Sequence, residues 1–207
     1  MSFSATDLSN ALRDTSLAPV DAHAVVLMAS VVHSARSAVV AIGELHPLGA
    51  ESALVSEILL QSTLFAGFPR ALNALHAFRE VYGDSASAPV ALQPEDLQVF
   101  RDRGESLFRD IYQDQSDRVL NLLDSYHPEL RDWILVSAYG RVLARPGVAA
   151  STRELAACAA LIVSEDLRQL TSHARGARNT GASDKDVAET AALVSRLTER
   201  PVPTEYL

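Results

Sequence analysis

Histidine, glutamate and arginine side chains in the second half of the chain have the residue types that acid/base chemistry needs. His173 follows Gln169 by four residues and Glu154 by nineteen. Histidine can transfer protons at neutral pH, and the planar guanidinium of Arg153 or Arg175 suits a carboxylate. Each residue also has a structural interpretation. Glu154 can close a helix cap, and His173 can bond a neighbouring carbonyl. Gln169, Arg153 and Arg175 can be surface residues.

The chain contains one cysteine, Cys158. It therefore cannot form a disulfide within the chain, and it offers neither a CxxC redox motif nor a cysteine zinc site. The motifs HExxH, GxSxG and GxGxxG and the P-loop are also absent from the sequence. We expect no metal and no cofactor, and we interpret Cys158 as a buried, unreactive thiol.

The net negative charge of the chain argues against a nucleic acid partner. A formal net charge of -8 and a pI near 5.2 give no general attraction for phosphate backbones, so we expect no nucleic acid partner. The N-terminal residues lack the basic region of a signal peptide. The apolar run 24–32 ends at His33 and is too short to span a bilayer. We expect a cytoplasmic protein without a membrane partner.

Proline, glycine and capping residues divide the chain into helices, and strand alternation is hard to find. Helix ends are indicated at Gly83, Gly147 and Gly181, and residues 84–92 are typical of a linker. Helix beginnings are indicated by Asp21 as an N-cap, Pro69, Pro94-Glu95-Asp96, Pro128-Glu129, a capping box from Ser151 to Glu154, and a similar pair of Ser183 and Asp186. These signals predict an all-α fold.

The two halves of the chain share a pattern at an offset of 132 or 133 residues. Each contains an acidic helix start, an apolar helix, a polar turn, a helix, a Gly-Ala turn and a further helix. The turn Gly49-Ala50 in the first half corresponds to Gly181-Ala182 in the second. An internal duplication explains this pattern. We predict two helical repeats, 1–92 and 93–207, of which the first is divergent.

Five motifs follow one another in the second half. They are Tyr139-Gly140-Arg141-Val142-Leu143-Ala144-Arg145-Pro146-Gly147, Thr152-Arg153-Glu154-Leu155-Ala156, Gln169-Leu170, His173-Ala174-Arg175-Gly176-Ala177 and Gly181-Ala182. In order and spacing they resemble the carboxymuconolactone decarboxylase family, which shares the fold of alkylhydroperoxidase D. The resemblance covers about residues 95–198 and, more loosely, 20–82. It implies a duplicated all-α helical unit that self-associates as a homo-oligomer.

The family contains a peroxidase branch and a decarboxylase branch. The peroxidase branch uses a CxxC pair between a glutamate and a histidine. Asp166 and Gln169 occupy the two cysteine positions here, so CxxC-dependent peroxide reduction is not expected. The decarboxylase branch lacks the cysteines and carries a Gln-Leu-x-x-His sequence, which residues 169–173 match. The resemblance therefore implies lyase-type acid/base chemistry on a small carboxylated organic molecule.

The resemblance also implies a role for each residue of the second half. His173 is the acid/base residue and Glu154 orients it. Gln169 contributes a hydrogen bond, and Arg153 or Arg175 binds a substrate carboxylate.

The corresponding place in the first half holds His33 and Arg36, with Asp21 upstream. Val40 stands where the motif histidine would be. We therefore interpret the first half as structural, with a second pocket around His33, Arg36 and Asp21 as the alternative.

Two other functions stay open. If His173 faces solvent or is packed without space beside it, the chain is a non-catalytic ligand-binding or scaffold protein on the same fold. A peroxidase-like oxidoreductase that uses Cys158 alone requires that thiol to be exposed and its pKa lowered.

Overall fold

The regular structure of the described residues is helical, as the proline, glycine and capping residues of the sequence predict. The structure, a computed structural model, describes residues 2–83 and 96–207. The expected linker 84–92, the helix start at Pro94-Glu95 and the boundary between the predicted repeats lie outside the described residues. The described residues contain helices and no strand, so the all-α prediction is confirmed for them.

The first half contains five helices within the described residues. Their bounds are α1 Ala5–Arg13, α2 Pro19–His33, α3 Ala35–Leu45, α4 Ser52–Gln61 and α5 Thr63–Tyr82. The prediction that Asp21 caps α2 is wrong, because Ala18 occupies the N-cap position and Pro19 begins the helix. Proline is favoured there because its missing N–H has no helical partner to lose. Asp21 lies in the first turn and accepts a hydrogen bond from Thr152 Oγ1 at 2.6 Å.

Helix α5 is kinked at Gly67, two residues before Pro69, where the sequence predicted that a helix begins. The backbone of Gly67 has φ 74° and ψ 164°, a conformation that residues with a Cβ avoid. The helix resumes around Pro69 and ends at Gly83, which has φ 73°. The kink separates Phe65, on the N-terminal side, from the remainder of α5.

The second half begins with α6 Leu97–Tyr112, α7 Ser116–Tyr126 and α8 Leu130–Trp133. The helix expected from Pro128-Glu129 is a single α-helical turn that continues as a π-helix over Ile134–Leu143. This π-helix lies against α6 at two glycines. A Cβ on Gly104 would lie 2.0 Å from the Leu135 carbonyl oxygen, and one on Gly140 would lie 2.0 Å from that of Phe100. Only glycine therefore permits the backbones to approach this closely.

Three further helices follow, α9 Ala150–Ser164, α10 Leu167–Asn179 and α11 Asp184–Thr198. The capping box expected from Ser151 to Glu154 is wrong, because α9 begins at Ala150 and has no side-chain cap. The Glu154 carboxylate forms a hydrogen bond with His173 of α10 instead. The second capping box is confirmed: Ser183 and Asp186 each accept from the backbone N–H of the other.

Helices α2 and α9 form the centre of the main hydrophobic core, which draws residues from both halves. Residues Thr152 to Val163 of α9 are all buried. A smaller core lies between α6, α7 and the π-helix. Helices α2, α3 and α4 begin 131 or 132 residues before α9, α10 and α11, an order that agrees with the predicted duplication, which stays a prediction. Within the described ranges, no helix has both the length and the apolar character needed to cross a membrane.

Candidate functional site

Glu154 is a buried carboxylate on an otherwise mainly apolar helix. Its side chain is 1% exposed, in a stretch of α9 that consists mainly of alanine, leucine and valine. A carboxylate in such surroundings requires a hydrogen-bonding partner, since the free energy of burying an unpaired charge is high. The partner comes from α10, which packs directly against α9.

His173 of α10 is this partner. Its Nδ1 lies 2.8 Å from Glu154 Oε2, and its side chain is 16% exposed. The approach of the two helices depends on small residues, because Ala174, Gly176 and Ala177 are the buried residues on this part of α10. A Cβ on Gly176 would lie 2.7 Å from Glu154 Oε2, so glycine leaves room for the carboxylate.

The electrostatics of this pair favour the protonated imidazole. Burial lowers the pKa of His173, but the charge of Glu154 and its hydrogen bond outweigh burial. The net result is a pKa above the ordinary histidine value of 6.5. The imidazole therefore titrates above the usual range, and Glu154 fixes which ring nitrogen carries the shared proton.

A cavity of about 410 Å³ opens beside His173. Its volume is within the range of about 300–1,000 Å³ that is typical of small-molecule sites. Gln169, Ser172 and His173 of α10 form one wall, and Phe65 of α5 packs edge-on against the imidazole with 6.0 Å between ring centroids. Apolar side chains from α5, α6, α7 and the π-helix form most of the remainder, namely Leu64, Phe108, Val119, Leu122, Leu123, Ile134, Ala138 and Leu143.

Three tyrosines line the cavity, Tyr112, Tyr126 and Tyr139, and two of them are hydrogen-bonded to each other. Tyr139 of the π-helix donates to the hydroxyl of Tyr112 at 3.4 Å, and both rings line the cavity. Burial is the main cause that raises the pKa of each phenol above the usual value of 10, and the charge of Glu154 adds to it. Both tyrosines are therefore neutral hydrogen-bond donors at neutral pH.

The structure brings three of the predicted residues together, His173, Glu154 and Gln169. Arg153 and Arg175, which we expected to bind a substrate carboxylate, do not line the cavity. Arg175 is exposed elsewhere on α10, and Arg153 is 1% exposed in the core. The arginine that lines the cavity is Arg168, in the first turn of α10.

Arg153 belongs to a buried ionic cluster between the two halves of the chain. Its Nη2 donates to Glu57 Oε2 at 2.8 Å, and Arg145 Nη2 donates to the other oxygen of the same carboxylate at 2.8 Å. Gln61 Nε2 donates to the Arg153 carbonyl at 2.8 Å. Burial raises the pKa of Glu57, but the hydrogen bonds and charges of the two arginines outweigh burial and lower it overall. The guanidinium of Arg153 is thus committed to Glu57 rather than to a ligand.

The residues of the possible second site do not form a pocket together. Asp21 and His33 lie near opposite ends of α2, and Arg36 is exposed on α3. His33 stacks on Phe3, and its Nδ1 lies 3.0 Å from Ser37 Oγ. Burial, together with the charges of nearby arginines, lowers the pKa of His33. The first half therefore presents no counterpart of the His173–Glu154 pair at these residues.

Cys158 meets neither condition for peroxide chemistry. Its side chain is 1% exposed in the core of α9, and burial raises the pKa of its thiol well above the usual value. In residues 2–83 and 96–207, no group of three or more His, Cys, Asp or Glu side chains is arranged to hold a metal ion.

Sequence reasoning missed Arg168, Tyr112 and Tyr139 as residues of the cavity. A signal for Arg168 was available, because residues 168, 169, 172 and 173 lie on one face of a helix. Tyr139 belongs to a motif that carries the family resemblance, but the motif alone indicates no contact with α6. Tyr112 had no signal in the sequence.

Comparison with known proteins finds a family match within the second half of the chain. Residues 130–196, which include the π-helix, Glu154, Arg168 and His173, match the family described as the carboxymuconolactone decarboxylase family. The resemblance read from the motifs is thus confirmed.

Two curated relatives share the name Peroxisomal protein 2. The one from Saccharomyces cerevisiae is 26% identical, over 64% of this chain and 56% of that protein. The one from Schizosaccharomyces pombe is 29% identical, over 63% of this chain and 62% of that protein. The chain therefore spans less than two thirds of the length of either relative. The similarity to the family supports the helical fold.

Proposed function

We propose that the protein is an acid/base enzyme of the decarboxylase-like lyase type that acts on a small carboxylated organic molecule. The observation that carries this proposal is the hydrogen bond between Glu154 and His173, whose imidazole lines a cavity of about 410 Å³. A histidine that faces a cavity and is oriented by a buried carboxylate has the arrangement that general acid/base catalysis requires.

Glu154 has an orienting role in this proposal. It accepts the hydrogen bond from Nδ1 of His173 and so leaves Nε2 as the nitrogen available to a ligand. Among the described residues, no group forms a hydrogen bond with Nε2. The raised pKa keeps a larger fraction of the imidazole protonated at neutral pH, when Nε2–H can act as a general acid.

The proposed reaction is loss of carbon dioxide followed by protonation of carbon. The bond between the substrate carbon and its carboxylate breaks, and its electron pair moves into a conjugated carbonyl to form an enolate. Nε2–H of His173 donates its proton to the carbon, and the imidazole regains a proton from water. Tyr112 lines the same cavity and accepts a hydrogen bond from Tyr139, so its own O–H can donate a hydrogen bond to the enolate oxygen.

The decisive measurement is the release of carbon dioxide from 4-carboxymuconolactone by the wild type and by His173→Gln. We expect the wild type to be active and the variant to lose a factor of about 100 or more in kcat. His76→Gln is the matched control, because the His76 side chain is 77% exposed and lies outside the cavity. Circular dichroism confirms that all three proteins are folded.

An inert wild type would contradict the decarboxylase assignment. The non-catalytic ligand-binding protein on the same fold would then be the better description. The space beside His173 agrees with either function, so turnover separates them. The peroxidase alternative is not proposed, because Cys158 is buried.

Self-association as a homo-oligomer is also proposed. Phe68, Leu72 and Trp133 are 72%, 63% and 67% exposed, and exposed apolar side chains of this size support an interface between protein chains. Sedimentation analysis of the purified protein tests this self-association.

The cytoplasm is the location that we propose from the sequence. The names of the two relatives favour the peroxisome instead, and imaging of the tagged chain distinguishes the two locations.

A further inference from the structure

The cavity beside His173 has a simple distribution of charge. Among the described residues that line it, only Arg168 and His173 can be cationic, and none is acidic. The charge of a protonated His173 is compensated by Glu154 at 2.8 Å. Arg168, by contrast, has no ion pair with any described residue. The cavity wall therefore carries one uncompensated positive charge, at Arg168.

The surroundings of Arg168 favour an anion at the same place. Arg168 lies in the first turn of α10, where the free backbone N–H groups carry partial positive charge. The nearest acidic side chain in the sequence, Asp166, accepts a hydrogen bond from Ser164 Oγ at 2.6 Å and does not line the cavity. A carboxylate that enters the cavity from this side would meet the guanidinium of Arg168 first.

The remainder of the wall is suited to an uncharged body. Leu122, Leu123 and Ile134 line it with alkyl groups, and Phe65 and Phe108 with aromatic rings. Tyr112 and Tyr139 stay neutral because burial raises the pKa of both phenols. A second carboxylate on the ligand would lie against this wall with no cation to compensate for its lost hydration.

The positions of Arg168 and His173 on one helix set the separation between anchor and imidazole. Five residues of α-helix rise by about 7.5 Å. Both side chains line the cavity from the same face of α10. A ligand whose carboxylate lies at Arg168 therefore presents an atom several bonds away to His173.

We propose that the cavity binds monocarboxylates with an apolar body, with the carboxylate at Arg168 and the body among the leucine and aromatic side chains. The ligand class is argued from the wall alone. Its interpretation as a substrate or product rests on the function proposed above. On that function, the monocarboxylate is the product that remains after carbon dioxide has left.

Three probes of equal chain length test this proposal by calorimetric titration. They are octanoate, octanamide and octanedioate, which carry one, no and two carboxylates on the same hydrocarbon. We expect octanoate to bind the wild type most tightly. Arg168→Ala should weaken octanoate binding about fivefold, because an exposed guanidinium contributes modestly, and should leave octanamide unchanged. Arg175→Ala is the matched control and should bind all three probes as the wild type does.

Two results would overturn the proposal. One is octanedioate binding as tightly as octanoate, and the other is octanoate binding that Arg168→Ala does not change or that cannot be detected at all. Failure of the proposed enzymatic function has a different signature. A wild type that binds octanoate through Arg168 but releases no carbon dioxide supports the ligand class and contradicts the chemistry. His173→Gln should still bind octanoate, since its carboxylate lies at Arg168.

Discussion

Gly176 and Glu154 are in such close contact across α9 and α10 that a methyl group on Gly176 would lie 2.7 Å from Glu154 Oε2. Ile111 Cγ2 would lie 2.9 Å from the same methyl group. The glycine therefore determines how closely α10 can bring His173 to the carboxylate.

Replacing Gly176 with alanine should displace the carboxylate and disturb the pair. We expect Gly176→Ala to lower the free energy of unfolding by about 1–3 kcal/mol, the range for an overpacked core, and to reduce activity. Urea denaturation measures the first effect. Gly43→Ala is the control, because Gly43 lies in α3 with no atom within 4 Å of a built Cβ. That variant should gain about 0.5–1 kcal/mol from helix propensity, and equal losses in both variants would contradict the contact.

The raised pKa of His173 makes part of the stability dependent on pH. The folded-state pKa lies above the unfolded value of about 6.5, so the contribution of His173 is fully present below pH 6.5. It is lost as the pH rises through the folded-state pKa. The Glu154→Gln variant lacks the negative charge, so burial alone shifts the pKa of His173, which should fall below 6.5.

Nuclear magnetic resonance titration of the imidazole measures this change directly. Glu129→Gln is the control, since Glu129 is exposed between α7 and α8 and should leave the titration of His173 unchanged. A His173 pKa that stays the same in Glu154→Gln would show that the carboxylate does not govern it.

The cluster around Glu57 should be more sensitive to substitution than any surface ion pair. Glu57→Gln leaves Arg153 charged in the core without a carboxylate, and we expect a loss of about 3–5 kcal/mol in the free energy of unfolding. Glu105→Gln removes one of the two carboxylates that pair with Arg109 at the surface and should cost less than about 1 kcal/mol. Thermal and urea unfolding of both variants provide the comparison.

The stability of the wild type at acid pH should depend on the same cluster around Glu57. The two arginines hold the pKa of Glu57 below its ordinary value of 4.5, so its contribution is present above that pH and is lost as the pH falls. A Glu57→Gln variant as stable as Glu105→Gln would exclude the proposed energetic role.

Cys158 should react with a thiol reagent only when the core opens. The thiol is buried and its pKa is raised, so both access and thiolate formation oppose labelling. We expect the native protein to be labelled at least about 100 times more slowly than the protein in denaturant. Cys158→Ala with an added Ser125→Cys substitution is the positive control, because Ser125 is exposed. Rapid labelling of the native wild type would reopen the peroxidase alternative.

Local signals predicted much of the helical order but not the long-range contacts. Gly83 and Ser183 act within one helical turn, and the sequence predicted the helix end and the capping box at these residues. The Glu154–His173 pair was predictable through the family spacing. The role of Arg153 was not, because its partner Glu57 is 96 residues away and nothing local distinguishes a buried arginine from a surface one. The capping box at Ser151 was wrong because α9 begins one residue earlier, at Ala150, so Ser151 lies inside the first turn.

The position of Glu57 in the chain also constrains the order of events during synthesis. Its two arginine partners lie 88 and 96 residues closer to the C-terminus. Until the ribosome has delivered both, the carboxylate has no cation to accompany it into the interior and must remain hydrated. The first half of the protein can therefore form its helices early, but the segment around Glu57 cannot reach its final packing before α9 has emerged.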